Sequence, residues 1–117
     1  EVVNAHHIFI GANVIDYSGY PDCRPEYIES FAKMANLATV IGVKGESIKI
    51  HSPLLYLNKK QIIKLGLNIG ADYKNTISCY QPFSQDISCG QCDSCLFRLR
   101  GFLANNAVDP INYQTKP

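Results

Sequence analysis

The chain has 117 residues, 46% of them hydrophobic, with 11 Lys and Arg against 10 Asp and Glu and a formal charge of +1. That length implies one domain with a modest core, and that charge supplies no field for direct nucleic-acid binding or for an acidic membrane surface. No apolar run approaches the roughly twenty residues that span a bilayer. His6 and His7 interrupt the apolar residues after Val2 and Val3, so no signal-peptide core is readable and a cytoplasmic location is expected. The chain opens on Glu1 and runs at once into strand-like residues, so it reads as a portion of something longer.

In chain order, His7 to Gly11 predicts a buried strand ending at a glycine. Ala12 to Arg24 is a loop rich in Asp, Ser, Gly and Pro. A helix starts near Pro25, with Ile28, Phe31, Ala32, Ala35 and Ala38 as its apolar stripe. Gly42 and Gly45 bracket a break, and Ser47 to His51 alternates as a second strand closed by Pro53. Asn58 with Gln61 resembles a capping box for a helix that runs through Ile62, Leu65 and Ile69 to a C-cap at Gly70. Leu96, Leu99, Phe102 and Leu103 recur at helical spacing near the end. Strand–helix–strand–helix alternation predicts an α/β layer with parallel strands, whose ligand site lies beyond their carboxyl ends. His6, His7 and His51 are expected to serve packing or surface roles.

Cys79, Cys89, Cys92 and Cys95 follow the pattern C-x9-C-x2-C-x2-C. A C-x-x-C step folds into a tight turn that aims both sulfurs at one point, and four thiolates in tetrahedral array make a closed structural zinc site. Disulfides are the plain alternative, but three of these cysteines lie too close together to pair independently. An iron–sulfur cluster is the sharper one; the ferredoxin pattern needs a further x3-C-P, and no cysteine follows Cys95. The site would lie at the N-terminus of the last helix, where the dipole favours negative charge. Arg98, one turn on, would offset the charge of a tetrathiolate, while Arg100 is expected on the solvated face.

The loop Asp16-Tyr17-Ser18-Gly19-Tyr20-Pro21-Asp22-Cys23-Arg24-Pro25-Glu26 packs two kinds of charge, two phenols, a hydroxyl and a thiol into a restricted backbone. On composition alone a surface turn, with Asp22 capping the next helix, balances a functional loop.

That loop, together with Thr76-Ile77-Ser78-Cys79-Tyr80, the Cys89–Cys95 run, Arg98, Lys59 and Gly101, resembles the 7-cyano-7-deazaguanine synthases of queuosine biosynthesis. The resemblance extends from about Ile8 to about Tyr113. It implies a Rossmann-like, adenine-nucleotide α-hydrolase-type α/β fold. It also implies an ATP-dependent ligase that converts 7-carboxy-7-deazaguanine and ammonia into the 7-cyano compound, with zinc on Cys79, Cys89, Cys92 and Cys95. The family holds ATP on an S-G-G-x-D-S loop, whose backbone N–H groups cradle phosphate. No such segment occurs here. The chain is therefore expected to be the C-terminal half of a synthase, with ATP bound mainly by the other half. Residues 1–70 would form the α/β part with a substrate loop at 16–26, and residues 71–117 the zinc-binding segment and last helix.

Within that frame, a carboxylate of Asp16 or Asp22 suits the N–H donors of a deazaguanine edge, and Tyr17 or Tyr20 suits stacking. Ser18 completes the substrate set, with Arg24 on the acyl group or its phosphates. Cys23, Lys59 and Arg98 are the catalytic candidates, Cys23 as an acyl carrier. A homodimer is compatible with all of this. The rivals are an ATP-loop enzyme that modifies tRNA, which would want a basic surface, and a zinc-stabilised binding module without chemistry.

Overall fold

A computed structural model of the protein describes residues 2–15 and 20–115. The chain divides into two compact units, residues 1–58 and 59–117. Strands β1 (His7–Phe9) and β2 (Lys49–His51) and helices α1 (Pro25–Ala38) and α2 (Val40–Val43) form the first. Helices α3 (Lys59–Asn68) and α4 (Asp93–Leu103) and strands β3 (Ile87–Ser88) and β4 (Asn112–Tyr113) form the second. Short 3-10 turns occur at Pro21–Cys23 and Tyr73–Asn75. The result is α/β, with two small two-stranded sheets among the described residues.

In the first unit β1 pairs β2 in parallel, His7 opposite Lys49 and Phe9 opposite His51. The pairing outlasts the strands: Ile10 N donates to His51 O at 2.8 Å and Val14 N to Leu55 O at 3.0 Å. The expectation of a buried first strand is not met, for all three residues of β1 are exposed. Two strands cannot cover both faces of each other, and Phe9 instead stacks on His51 with ring centroids 4.5 Å apart. The core sits at the carboxyl end of this sheet, where Ala12, Ile28 and Leu55 pack with Val14, Cys23 and Ile50. Helix α1 contributes Ile28 to it and also buries Ala35, two turns on along the expected stripe, although Ala38 is exposed.

Asn36 ties α1 to the second strand, a role the apolar pattern concealed. Its Nδ2 donates to Ile48 O at 2.9 Å and its Oδ1 accepts from Ile48 N at 2.8 Å, so a side-chain amide stands in for a neighbouring strand. Gly42 lies within α2 and does not break it; the left-handed turn is at Gly45, φ +82°.

In the second unit, α3 packs on α4 by a face other than the one predicted. Ile63 and Gly66 are buried, whereas Leu65 and Ile69 are exposed. Together with half-buried Lys59, the two buried residues form a line spaced i, i+4, i+7. Gly101 of α4 lets the helices meet there: a Cβ on it would stand 2.6 Å from Ile63 Cδ1 and 2.8 Å from Lys59 Cγ. The Tyr73 hydroxyl fills the space beside Gly66 and donates to Ile62 O at 3.2 Å. Gly70 ends α3 as expected, at φ +75°, with Ala71 N bonded to Gly66 O at 2.8 Å and Gly70 N to Leu67 O at 3.2 Å. On α4 the buried residues are Cys95, Arg98, Gly101 and Phe102, and Leu103 is exposed. Strand β3 pairs β4 in parallel, Ser88 opposite Tyr113.

Candidate functional site

The four clustered cysteines converge. Their sulfurs all lie within 4.8 Å of one another, and Cys89 Sγ and Cys95 Sγ are 3.9 Å apart. A tetrahedral ion with metal–sulfur bonds of about 2.3 Å needs sulfurs about 3.8 Å apart. All five cysteines are free thiols, so the disulfide alternative is not what the chain forms here. The cluster could therefore hold a metal ion.

Local backbone geometry explains the convergence. Gly90 follows Cys89 at φ +77°, a conformation that residues with a side chain rarely hold. It also lies under Thr115, whose carbonyl oxygen would be 1.8 Å from any Cβ there. This turn points the N–H groups of Gln91 and Cys92 at Cys89 Sγ, each at 3.4 Å, and Cys89 N donates to Cys79 Sγ at 3.3 Å. Cys92 is the N-cap of α4, and Cys95, one turn in, is 1% exposed. Ser94 Oγ donates to Ser78 O at 2.6 Å and pins the Cys79 segment to the helix start.

These environments separate the thiols electrostatically. Backbone N–H bonds, from Gln91 first and then Cys92, lower the Cys89 pKa to about 6. The Cys95 N–H lowers that of Cys92, and burial pushes Cys95 up. Backbone N–H groups thus favour the charged form at Cys89 and Cys92, and burial opposes it at Cys95.

Beneath the cluster lies a polar hub that spacing did not reveal. Arg98 is 5% exposed, and its Nε and Nη2 grip Asp109 at 2.6 and 2.9 Å. Burial would lower the Arg98 pKa, but the bond to Asp109 and its charge more than offset this and leave it raised. Nη1 donates to Thr76 Oγ1 at 2.8 Å, Nη2 to Tyr73 O at 3.1 Å, and Tyr113 OH donates to Asp109 Oδ2 at 2.7 Å. Arg98 therefore has a carboxylate partner, where its spacing from Cys95 suggested a thiolate one. The signal for Asp109 was weak: one acid in an otherwise uncharged stretch after the last helix. Arg100 is exposed, as expected.

Asp16, Tyr17 and Ser18 lie outside the described residues. The rest of their loop is visible. Tyr20, Asp22 and Arg24 are exposed, and Cys23 packs against the Ala12–Ile28–Leu55 core. The N-cap of α1 is Arg24, whose side chain makes no capping bond, so Asp22 sits in the preceding 3-10 turn and not at the cap. Arg24 Nε donates to Pro21 O at 3.3 Å, and no ion pair joins Arg24 to Asp22 among the described residues. Asn13, which the sequence pattern did not mark, anchors the start of the loop: its Nδ2 donates to Leu54 O at 3.0 Å and also to Leu57 O. Lys59 begins α3, with its stem against Gly101.

Residues 1–106 match the family model described as Queuosine biosynthesis protein QueC. The chain belongs to the QueC family. It is 58% identical over 113 residues, 97% of its length, to a 7-cyano-7-deazaguanine synthase of Rickettsia akari (strain Hartford). It is 59% identical over the same share to that of Rickettsia rickettsii (strain Sheila Smith) and 57% to that of Rickettsia canadensis (strain McKiel). In each case it spans about half the length of the relative, 50%. In this chain the Asp22–Arg24 loop belongs to the first unit and the four-cysteine cluster to the second. No helix among the described residues is long and apolar enough to cross a membrane.

Proposed function

We propose that the protein acts in the synthesis of 7-cyano-7-deazaguanine. The observation that carries this is the 58–59% identity, along nearly the whole chain, to proteins bearing that synthase name. The reaction is an ATP-dependent carbon–nitrogen ligation in the cytoplasm. ATP activates the carboxylate of 7-carboxy-7-deazaguanine, ammonia displaces the activating group to give an amide, and a second activation drives loss of water to the nitrile. ATP is held mainly by residues other than these 117, on a Rossmann-like frame of the adenine-nucleotide α-hydrolase type. A homodimer without direct nucleic-acid contact fits the near-neutral charge.

The metal is zinc, and its role is structural: four thiolates leave no position for water or substrate, so the ion holds chain segments together. Asp22 and Arg24 position substrate, Asp22 by accepting from the deazaguanine N–H edge and Arg24 by binding the acyl group or its phosphates. Asp16, Tyr17, Ser18 and Tyr20 complete that contact. Both charged groups are exposed and unpaired with each other, which supports a role toward a ligand.

The test is Asp22→Asn and Arg24→Lys in the complete enzyme, with melting temperature and steady-state kinetics side by side. The expected result is an almost unchanged melting temperature and a kcat/KM lowered by roughly tenfold for each 1.4 kcal/mol of lost transition-state binding. A lowered melting temperature with unchanged kinetics would make the loop structural.

A further inference from the structure

The Arg98–Asp109 pair reaches every stretch of chain that carries a clustered cysteine. Arg98 stands on α4 one turn after Cys95 and on the same buried face. Its Nη1 bond to Thr76 Oγ1, 2.8 Å, holds the chain three residues before Cys79. Asp109 accepts from Tyr113 OH at 2.7 Å, and Tyr113 in β4 pairs with Ser88, the residue before Cys89. The Tyr113 ring also lies against the metal-binding turn, its Cδ1 3.5 Å from where a Cβ on Gly90 would stand. Gln114 N, next along, donates to Ser88 O at 2.9 Å.

We infer that Arg98 and Asp109 are positioning residues of the metal centre, holding its three ligand-bearing segments in register before the ion arrives. The inference rests on the cysteines being metal ligands. A bidentate guanidinium–carboxylate pair is planar and directional, and each of its remaining sites takes one further bond at a set angle. A buried ion pair is a weak source of net stability beside apolar packing, so geometry is the service it renders best. Segments already in register have less freedom to lose when the fourth sulfur closes on the ion. Outer partners of metal ligands characteristically govern affinity by roughly tenfold to a hundredfold.

Asp109→Asn leaves a buried guanidinium without its counter-charge, so the decisive variants are Thr76→Val and Tyr113→Phe, which each remove one tie and keep the pair. Ile63→Val, buried in the same unit but bonded to neither tie, is the control for lost stability. Zinc and cobalt(II) affinities are measured in the purified protein by competition with a chelator of known affinity. The cobalt thiolate charge-transfer and ligand-field bands report the geometry of the site. The expected result is an affinity lower by roughly tenfold or more in both tie variants, with altered cobalt bands. Ile63→Val should keep wild-type affinity and spectrum at a similar loss of melting temperature. Tie variants with wild-type affinity, or a control that loses as much, overturn the inference alone. Wild-type protein without tetrathiolate cobalt bands overturns the metal reading and this inference with it.

Discussion

Residues 2–58 and 59–115 depend on different kinds of interaction. The first unit closes over Ala12, Ile28 and Leu55, and among its ties are two half-buried neutral amides, Asn13 on the 54–57 turn and Asn36 on Ile48. The second buries a guanidinium and a carboxylate as well as Ile63 and Phe102, and it carries the four clustered thiols. Apolar burial is non-directional and tolerates repacking. A charge pair and a metal cage demand fixed angles, and they lose most when one member is removed and the rest stay buried. The first unit should therefore weaken by degrees under substitution, and the second should fail abruptly.

Metal removal is the strongest way to break that contrast. Structural zinc sites contribute apparent free energies on the order of 10–16 kcal/mol in small domains. A chelator, or Cys92→Ser, should abolish amide protection across residues 59–115 while residues 2–58 keep theirs, as hydrogen exchange would show. Cys23→Ser, in the first unit, should cost far less. Equal loss in both units would mean that they do not fold as separate bodies.

Next comes Asp109→Asn, expected to destabilise by about 3–5 kcal/mol because Arg98 is left charged and buried. Denaturant unfolding measures it. Arg98→Met combined with Asp109→Leu should be milder than Asp109→Asn alone; if it is worse, the pair contributes net stability and not geometry. Ile28→Ala should cost about 2–5 kcal/mol, toward the lower figure because its core is shallow and able to collapse.

The smallest effect is one of pH. Burial and then the bond to Asp109 raise the Tyr113 pKa. Its contribution is fully present below the unfolded phenol value of about 10 and fades as pH climbs toward the folded one. The melting temperature of metal-loaded protein should fall as pH rises past about 10, and Tyr113→Phe should flatten that slope. Tyr73 is also raised by burial, so part of the slope should remain.

Local signals in the sequence served well where one residue type dictates one geometry. Pro25 starts α1 and Gly70 ends α3, because ring-fixed and positive φ values are local properties. The C-x-x-C steps brought their sulfurs together for the same reason. Apolar periodicity did worse. It named Leu65, Ile69 and Leu103, which are exposed, and passed over Lys59, Gly66, Cys95 and Arg98, which line the α3–α4 contact or the hub below the cysteines. A stripe counted in hydrophobic residues misses a face built from glycines, a lysine stem and a paired charge.

By itself, the sequence determined the family of this protein, its cysteine cage and the chemistry on offer in the Asp16–Glu26 loop, since each is written in consecutive or nearly consecutive residues. Only the tertiary structure decided that Arg98 answers to Asp109, that Asn36 substitutes for a strand beside Ile48, and that β1 lies exposed. Those outcomes join residues 11 and 12 positions apart, or depend on what covers a sheet face. The spacing of residues along a chain carries no record of which distant polar groups will share one dry interior, because that choice is made by the desolvation of all of them together.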